Sequence, residues 1–336
     1  MSDFEPGFEG ILGDSPAMAE LFATLRRIAP TDCTVLLTGE SGTGKELVAR
    51  ALHRRSGRAD RPFLACDCAS LVPTLLESEL FGHVRGSFSG AVAAKQGLFE
   101  VAHRGTLFLD EIANISLDTQ SKLLRAIESR RVRRVGDTVE REIDIRLVAA
   151  TNRSLPELVA AGSFREDLYY RLNVVPLVLP PLRERPGDVP LLARAFLHRL
   201  QGRPTVVAAD FSPAAMAVLE AHAWPGNVRE LQNLVERLAV LCGAPRIEPW
   251  HLPVELRQPT PEAGPRPAAL PTRWAEFKLY KRSAAAAVVD DLERRFLAAA
   301  LDRAGGNVTR AAVAVGMQRT QLHALLRKHG LGAADD

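Results

Sequence analysis

The rhythm of hydrophobic positions changes several times along the chain. After a turn-forming stretch, Gly10–Pro16, the residues Met18, Leu21, Phe22, Leu25 and Ile28 recur at the spacing of a helix with one buried face. Short, mostly apolar runs then take over at Thr34–Leu37, Gly105–Leu109 and Ile145–Ala150. Helical periodicity alternates with such runs to about residue 175, which predicts a parallel sheet covered by helices, an α/β fold. The proline-rich stretch Pro176–Pro190 reads as a connector. Helical patterns at Leu191–Leu200, Pro213–His222 and Asn227–Leu241 predict a small all-helical second domain, the last of them following the breaker Trp224-Pro225-Gly226. Pro253–Pro271 has many prolines and little periodicity, as a linker does. Helix returns from about Val288, through Leu292, Phe296, Leu297, Ala300 and Leu301, to a Gly305-Gly306 break. The expected division is an α/β domain over 1–175, a helical domain over 176–250, a linker over 251–287 and an all-α segment over 288–336.

Composition adds few constraints. Hydrophobic content of 46% and charged content of 25% are ordinary for a globular protein, and a net charge of +3 does not by itself argue for nucleic acid. Cys33, Cys66, Cys68 and Cys242 lack the paired spacing of a zinc site or disulfide framework, so reduced cysteines are expected. No apolar run reaches membrane-spanning length and the start is not a signal peptide, which points to a soluble cytoplasmic protein with no membrane partner.

The densest chemistry lies at Gly39-Glu40-Ser41-Gly42-Thr43-Gly44-Lys45-Glu46, between a strand pattern and a helix through Val48, Ala49 and Leu52. A glycine-lysine turn alone can be a plain surface loop; strand before and helix after give the context of a phosphate-binding loop. The glycines let backbone N–H groups turn inward around an anion, and Lys45 can reach the outer phosphates. Glu46 stands where such loops carry a hydroxyl for magnesium, so the metal must lean on another carboxylate. The run Gly105–Leu109 supplies one, ending in Asp110 for magnesium and Glu111 as candidate base for hydrolysis. Thr151 and Asn152 end a third strand, where ligands of parallel sheets gather. Arg165 and Arg171 are either surface charges or, in a ring of subunits, groups that enter a neighbour's site.

These motifs, in this order, resemble those of the AAA+ activators of sigma-54 RNA polymerase, the bacterial enhancer-binding proteins. The most specific is Glu79-Leu80-Phe81-Gly82-His83-Val84-Arg85-Gly86-Ser87-Phe88-Ser89-Gly90-Ala91, which looks like the family's sigma-54-contacting loop. Its glycines would carry Phe88 to the tip of a surface loop. The resemblance implies that Gly39 to Glu46 bind ATP, that Asp110 and Glu111 serve Mg²⁺ and hydrolysis, and that Ile11 and Leu12 line the adenine pocket. It makes Thr151 and Asn152 the first sensor, Arg165 and Arg171 the trans-acting fingers, and Arg229 the second sensor. Gly86, Ser87, Phe88, Ser89, Gly90 and Ala91 become the sigma-54 contact.

Three departures from that family stand out. Ser87 and Ser89 replace the usual Ala and Thr of the loop. Asp67 replaces an Asn that holds the hydrolytic Glu, so it is expected to share a proton with Glu111 or turn away, altering coupling at the catalytic site. Arg130, Arg131, Arg133 and Arg134 form a basic run, either lining a ring's pore or making a solvated turn.

At the C-terminus, Asn307 is a candidate cap for Val308–Val315, Gly316 ends that helix, and Gln318–Lys328 forms the next. This spacing matches helix-turn-helix geometry and resembles the Fis-type DNA-binding segment closing the family. Gln318, Arg319, Thr320, Gln321, His323, Arg327 and Lys328, with Asn307 and Thr309, are the expected contacts to double-stranded DNA at upstream enhancer-like sites, bound as a dimer. Leu322, Leu325 and Leu326 remain for packing. The reading is a hexameric, ATP-hydrolysing ring that remodels sigma-54 RNA polymerase holoenzyme. Its rival is a DNA-binding regulator that keeps the ATPase fold and acts by occupancy alone. The ATPase motifs begin within the first dozen residues, which leaves no room ahead of them for a sensing domain; control by a separate regulatory protein and a longer parent chain both fit that start.

Overall fold

The computed structural model describes residues 7–87, 93–202, 206–257 and 307–328, together with 293, 296–297, 300–301 and 304. The chain divides into two units, Met1–Thr260 and Pro261–Asp336. The first begins with a hairpin of β1 (Gly7–Phe8) and β2 (Ile11–Leu12), followed by α1 (Pro16–Ile28), β3 (Val35–Thr38) and α2 (Lys45–Arg54). Next come β4 (Phe63–Asp67), α3 (Pro73–Phe81), β5 (Gly82–His83), β6 (Lys95–Gln96), α4 (Leu98–Val101) and β7 (Thr106–Asp110). The α/β part closes with α5 (Leu117–Ser129), β8 (Arg131–Arg133), β9 (Glu140–Glu142), β10 (Arg146–Thr151), α6 (Leu155–Ala160), α7 (Glu166–Leu172) and β11 (Val175–Val178).

Five strands form one sheet in the order β11-β3-β10-β7-β4, every pair parallel. Successive side chains of a strand face opposite sides, and the two cores divide accordingly. Leu36, Leu107, Leu109, Leu147 and Ala149 pack with Leu80, Phe99, Leu123 and Leu168 on one face. Val35, Leu37, Phe108, Val148 and Ala150 pack with Leu21, Leu25, Val48 and Leu52 on the other. Burial on both faces explains why these strands read as continuous apolar runs. Arg146, the first residue of β10, is fully buried. Its guanidinium donates to the carbonyls of Ile28, Ala29 and Leu52, at the last turns of α1 and α2.

The expected connector 176–190 is in fact largely regular. Pro176 sits within β11, in register with Leu36 of β3. An edge strand tolerates a proline because no further strand needs its missing N–H. A 3₁₀ turn, Leu182–Glu184, leads into α8 (Asp188–Leu200), whose Pro190 lies in the first turn, where backbone N–H groups have no helical partner. The sheet therefore runs past residue 175. The helical lid continues through β12 (Asp210–Phe211), α9 (Pro213–Ala221), α10 (Asn227–Leu241), β13 (Arg246–Ile247) and α11 (Val254–Arg257). Leu192, Phe196, Met216, Leu219, Trp224, Leu231, Leu234 and Leu238 form its core, and the Trp224 indole donates to the Leu219 carbonyl.

In the second unit, α12 (Val308–Ala314) and α13 (Arg319–Lys328) pack around Leu297, Ala304, Ala311, Ala312, Leu322 and Leu326. The Asn307 side chain accepts from the Arg310 N–H and so caps α12. Among the described residues no helix is long and apolar enough to cross a membrane. All four cysteines are free.

Candidate active site

The loop from Gly39 to Gly44 joins β3 to α2 and is tied to the sheet where the Gly39 N–H donates to the Thr151 carbonyl. Lys45 opens α2 and is buried, its Nζ donating to the carbonyls of Gly39 (2.9 Å) and Glu40 (3.2 Å). Burial lowers its pKa, while Glu111 and Asp110 act to raise it. The buried Thr43 hydroxyl donates to the Glu40 carbonyl. Glu46 is exposed, its carboxylate accepting from Arg50 one helical turn on.

The two acids end β7. Asp110 Oδ1 accepts from the Glu111 N–H at 2.9 Å. Burial holds the Asp110 pKa above the usual carboxylate range; the Glu111 N–H and Lys45 oppose this, and Asp67 and Glu46 add to it. Glu111 has left-handed backbone angles, φ 51° and ψ 44°, and its Oε2 accepts from the Asn152 N–H at 3.4 Å. Thr151 is buried, its hydroxyl accepting from the Arg153 N–H, while Asn152 is exposed beside Glu111. The structure thus brings Lys45, Asp110, Glu111 and Asn152 together at the carboxyl ends of three adjacent strands. Asp67 lies in register with Asp110, and its carboxylate accepts from the Ala69 N–H, on its own following turn.

The lid meets the loop directly. Gly42 has φ +78°, and a Cβ there would come within 2.3 Å of the Gly226 carbonyl oxygen. The Arg229 N–H donates to the Gly42 carbonyl, and the Arg229 side chain lines a cleft of about 470 Å³ with Ser41, Trp224, Asn233 and Arg237. The fully buried Asn227 donates from Nδ2 to the Ser41 carbonyl (3.0 Å) and to Glu40 Oε2 (3.1 Å). Its Oδ1 accepts from the Leu182 N–H. Arg183 closes a bidentate pair on Glu40, at 2.8 and 2.6 Å. The hydrogen bonds from Arg183, then from Asn227, hold the Glu40 carboxyl down at a pKa of about 2. Within the loop expected to bind ATP, the Glu40 carboxylate is thus engaged by the lid.

The segment carrying Ile11 and Leu12 is likewise pinned. Ile11 joins the core beneath the sheet, and Leu12 packs against the lid. Buried Asp188 accepts from the N–H groups of Asp14 and Ser15, the Ser15 hydroxyl and Arg185 Nε. Arg185 also donates to the Leu12 carbonyl. Sequence reasoning missed Arg183, Arg185, Asp188 and Asn227. The available signal was chemical: an acid inside a phosphate loop requires a cation to balance it, and Arg183 lay in the presumed connector.

Arg165 and Arg171 are exposed. Arg165 sits at the N-cap of α7 rather than within it, paired with Asp167 at 2.6 Å; Arg171 lies in the last turn, beside Thr34, Ile127 and Arg130. The β5–β6 hairpin carries the loop expected to meet sigma-54. Gly86 and Ser87 are described, whereas Phe88, Ser89, Gly90 and Ala91 lie outside the described residues. The Ser87 hydroxyl is buried without a partner among the described residues, and a Cβ at Gly136 (φ +80°) would come within 2.8 Å of Ser87 Cβ. The basic run is paired: Arg131 with Glu140 and Glu142, Arg133 with Glu140, Arg134 with Glu100. In the second unit Thr309, Gln318, Arg319, Thr320, Gln321, His323, Arg327 and Lys328 are exposed, while Leu322 and Leu326 are buried. Lys328 pairs with Glu293, and the Asn307 oxygen is engaged in its cap.

Three family models match the chain: the Sigma-54 interaction domain over residues 11–178, the AAA+ ATPase lid domain over 183–269 and the Fis family of bacterial regulatory proteins over 288–329. The chain belongs to the AAA+ sigma-54 activator family. Regulatory protein AtoC of Escherichia coli (strain K12) is 44% identical over 325 residues, 97% of this chain and 68% of AtoC. Transcriptional regulatory protein ZraR of Salmonella typhimurium is 47% identical over 319 residues, 95% of this chain and 68% of ZraR. NtrX from Brucella abortus, crystallised in complex with ATP, has a TM-score of 0.68 at 37% identity, covering 98% of this chain and 71% of NtrX. As a member of this family the chain is a sigma-54-dependent transcriptional activator of the AAA+ ATPase class, with a Fis-type DNA-binding segment. The expected fold class, a parallel-sheet ATPase domain with a helical lid and C-terminal helix-turn-helix, is the one found.

Proposed function

We propose that this activator hydrolyses ATP within a ring of its own copies and uses the energy to remodel the closed complex of sigma-54 RNA polymerase, while its Fis-type segment holds it on upstream DNA. The observation that carries this reading is the meeting of Lys45, Asp110, Glu111 and Asn152 beneath a lid seated on the phosphate loop. Gly39 to Gly44 offer N–H groups to the phosphates, and Lys45, now on loop carbonyls, would exchange them for phosphate oxygens. Glu111 takes up and orients the attacking water as base, its side chain steadied by the Asn152 N–H. Ile11, Leu12 and Arg229 would bound the adenine and outer phosphate ends, and Thr151 holds the turn that presents Asn152.

Among the described residues no group of three or more acidic, His or Cys side chains is placed to hold a metal alone. Magnesium at nucleotide sites takes one or two carboxylates with substrate phosphates and waters. Asp110, a half-buried carboxylate at the end of β7, one strand removed from the loop's β3 and close enough for Lys45 to act on its charge, fits that demand. Bound there, Mg²⁺ would neutralise charge on the phosphates.

Arg165 and Arg171, exposed at the N-cap and in the last turn of α7, would complete a neighbouring copy's site. Loop motion would act through the hairpin bearing Gly86 to Ala91, whose base is hydrogen-bonded to the paired basic strand through Val84 and Val135. The exposed face of α13 would read DNA as a dimer, in the cytoplasm, where sigma-54 polymerase works. The test is transcription from a sigma-54 promoter on a supercoiled template, with ATP or a non-hydrolysable analogue, for the wild type and Phe88→Ala. Open complexes are expected only with ATP and wild type; equal output from Phe88→Ala, with hydrolysis intact, would overturn the relay.

A further inference from the structure

Glu40 poses an electrostatic problem. A carboxylate on a loop whose N–H groups and lysine await phosphates repels the very anion the loop should bind. Its charge is balanced from outside the loop. Arg183 forks onto both oxygens, and Asn227 Nδ2 donates to one of them. Both balancing residues belong to the lid side: Arg183 to the turn after the last sheet strand, Asn227 to the head of α10, joined by the Leu182 N–H to Asn227 Oδ1 bond. The Arg183 and Glu40 side chains are 43% and 42% exposed. A pair this exposed opens without unfolding anything, because each partner is readily solvated.

We propose that Arg183 is a positioning residue for nucleotide, acting through Glu40: with the lid seated, its charge cancels that of Glu40 and the loop accepts ATP; with the lid lifted, the uncovered carboxylate expels the phosphates. The inference rests on the ATP-binding reading above. Because binding couplings are reciprocal, ATP must also strengthen lid closure by the same factor. Nucleotide state would then be read as lid position through one ion pair.

The test is titration of a fluorescent ATP analogue, with steady-state hydrolysis, on the full chain and on Arg183→Ala, Arg183→Lys, Glu40→Gln and the Arg183→Ala/Glu40→Gln double variant. Arg183→Ala is expected to weaken ATP about tenfold, raising KM more than it lowers kcat, and the double variant to restore affinity to within about threefold of wild type. Arg183→Lys, which keeps the charge, is expected to lose much less than Arg183→Ala. A double variant as weak as Arg183→Ala, or a lysine variant equally weak, would overturn the charge argument in favour of packing. An Arg183→Ala protein that binds as well as wild type would overturn it outright. Failure of the wild type to bind ATP is a different result; it removes the nucleotide reading, and the charge balance falls with it.

Discussion

Glu111 bends the backbone into a conformation that costs an L-residue about 1–2 kcal/mol. Its surroundings hold it there: its N–H donates to Asp110, its carbonyl accepts from Asn114, and its carboxylate meets the Asn152 N–H. Strain maintained at a candidate base is a common signature of a working site. Glu111→Gln keeps the shape and removes the base, so phosphate release should fall about 10²–10⁴-fold while nucleotide titration still shows binding. Retained hydrolysis would remove Glu111 from that role. Lys45 was legible in the sequence because a glycine-rich turn between a strand and a helix pattern ends on it, and Asp110 and Glu111 because a strand run does. The direction of Asp67 was not, since it depends on the register of β4 against β7 and on which N–H the following turn offers.

Between elements, the decisive contact is that of the phosphate loop with the head of α10. Gly42 is required twice over, for its left-handed backbone and for the 2.3 Å approach of the Gly226 oxygen. Gly42→Ala should therefore push the lid away, lowering stability in urea by about 2 kcal/mol and raising KM for ATP. The Glu40 pair also gives a pH signature. Its folded pKa, about 2, lies below the ordinary 4.5, so its stabilisation is present above pH 4.5 and lost as pH falls towards 2. The melting-temperature gap between wild type and Glu40→Gln should be constant above that window, close within it, and narrow with added salt, as expected of an exposed pair. A gap independent of acid and salt would show that packing, not charge, is responsible. The helices α1 and α10 were readable from apolar spacing. The last sheet strand was not, because its proline signals a connector unless an edge position makes the missing N–H harmless.

At the scale of the whole molecule, ATP chemistry and DNA recognition reside in separate units, each with its own core. The polar face of α13 is exposed while Leu322 and Leu326 are buried, so Arg319→Ala with Gln321→Ala should leave folding and basal hydrolysis unchanged. Retention on promoter DNA should fall by at least about tenfold, with a shallower dependence on salt, measured by gel shift across ionic strength. Sequence alone determined the order of units, a parallel sheet covered by helices and the candidate reacting residues, because periodicity and motif spacing are local properties of the chain. Tertiary structure alone decided that Glu40 serves the lid, that Asp188 pins the segment of Ile11 and Leu12, and that the basic run is matched by acids. Those partners lie up to 187 residues apart; which charge meets which is fixed only when the fold closes them together.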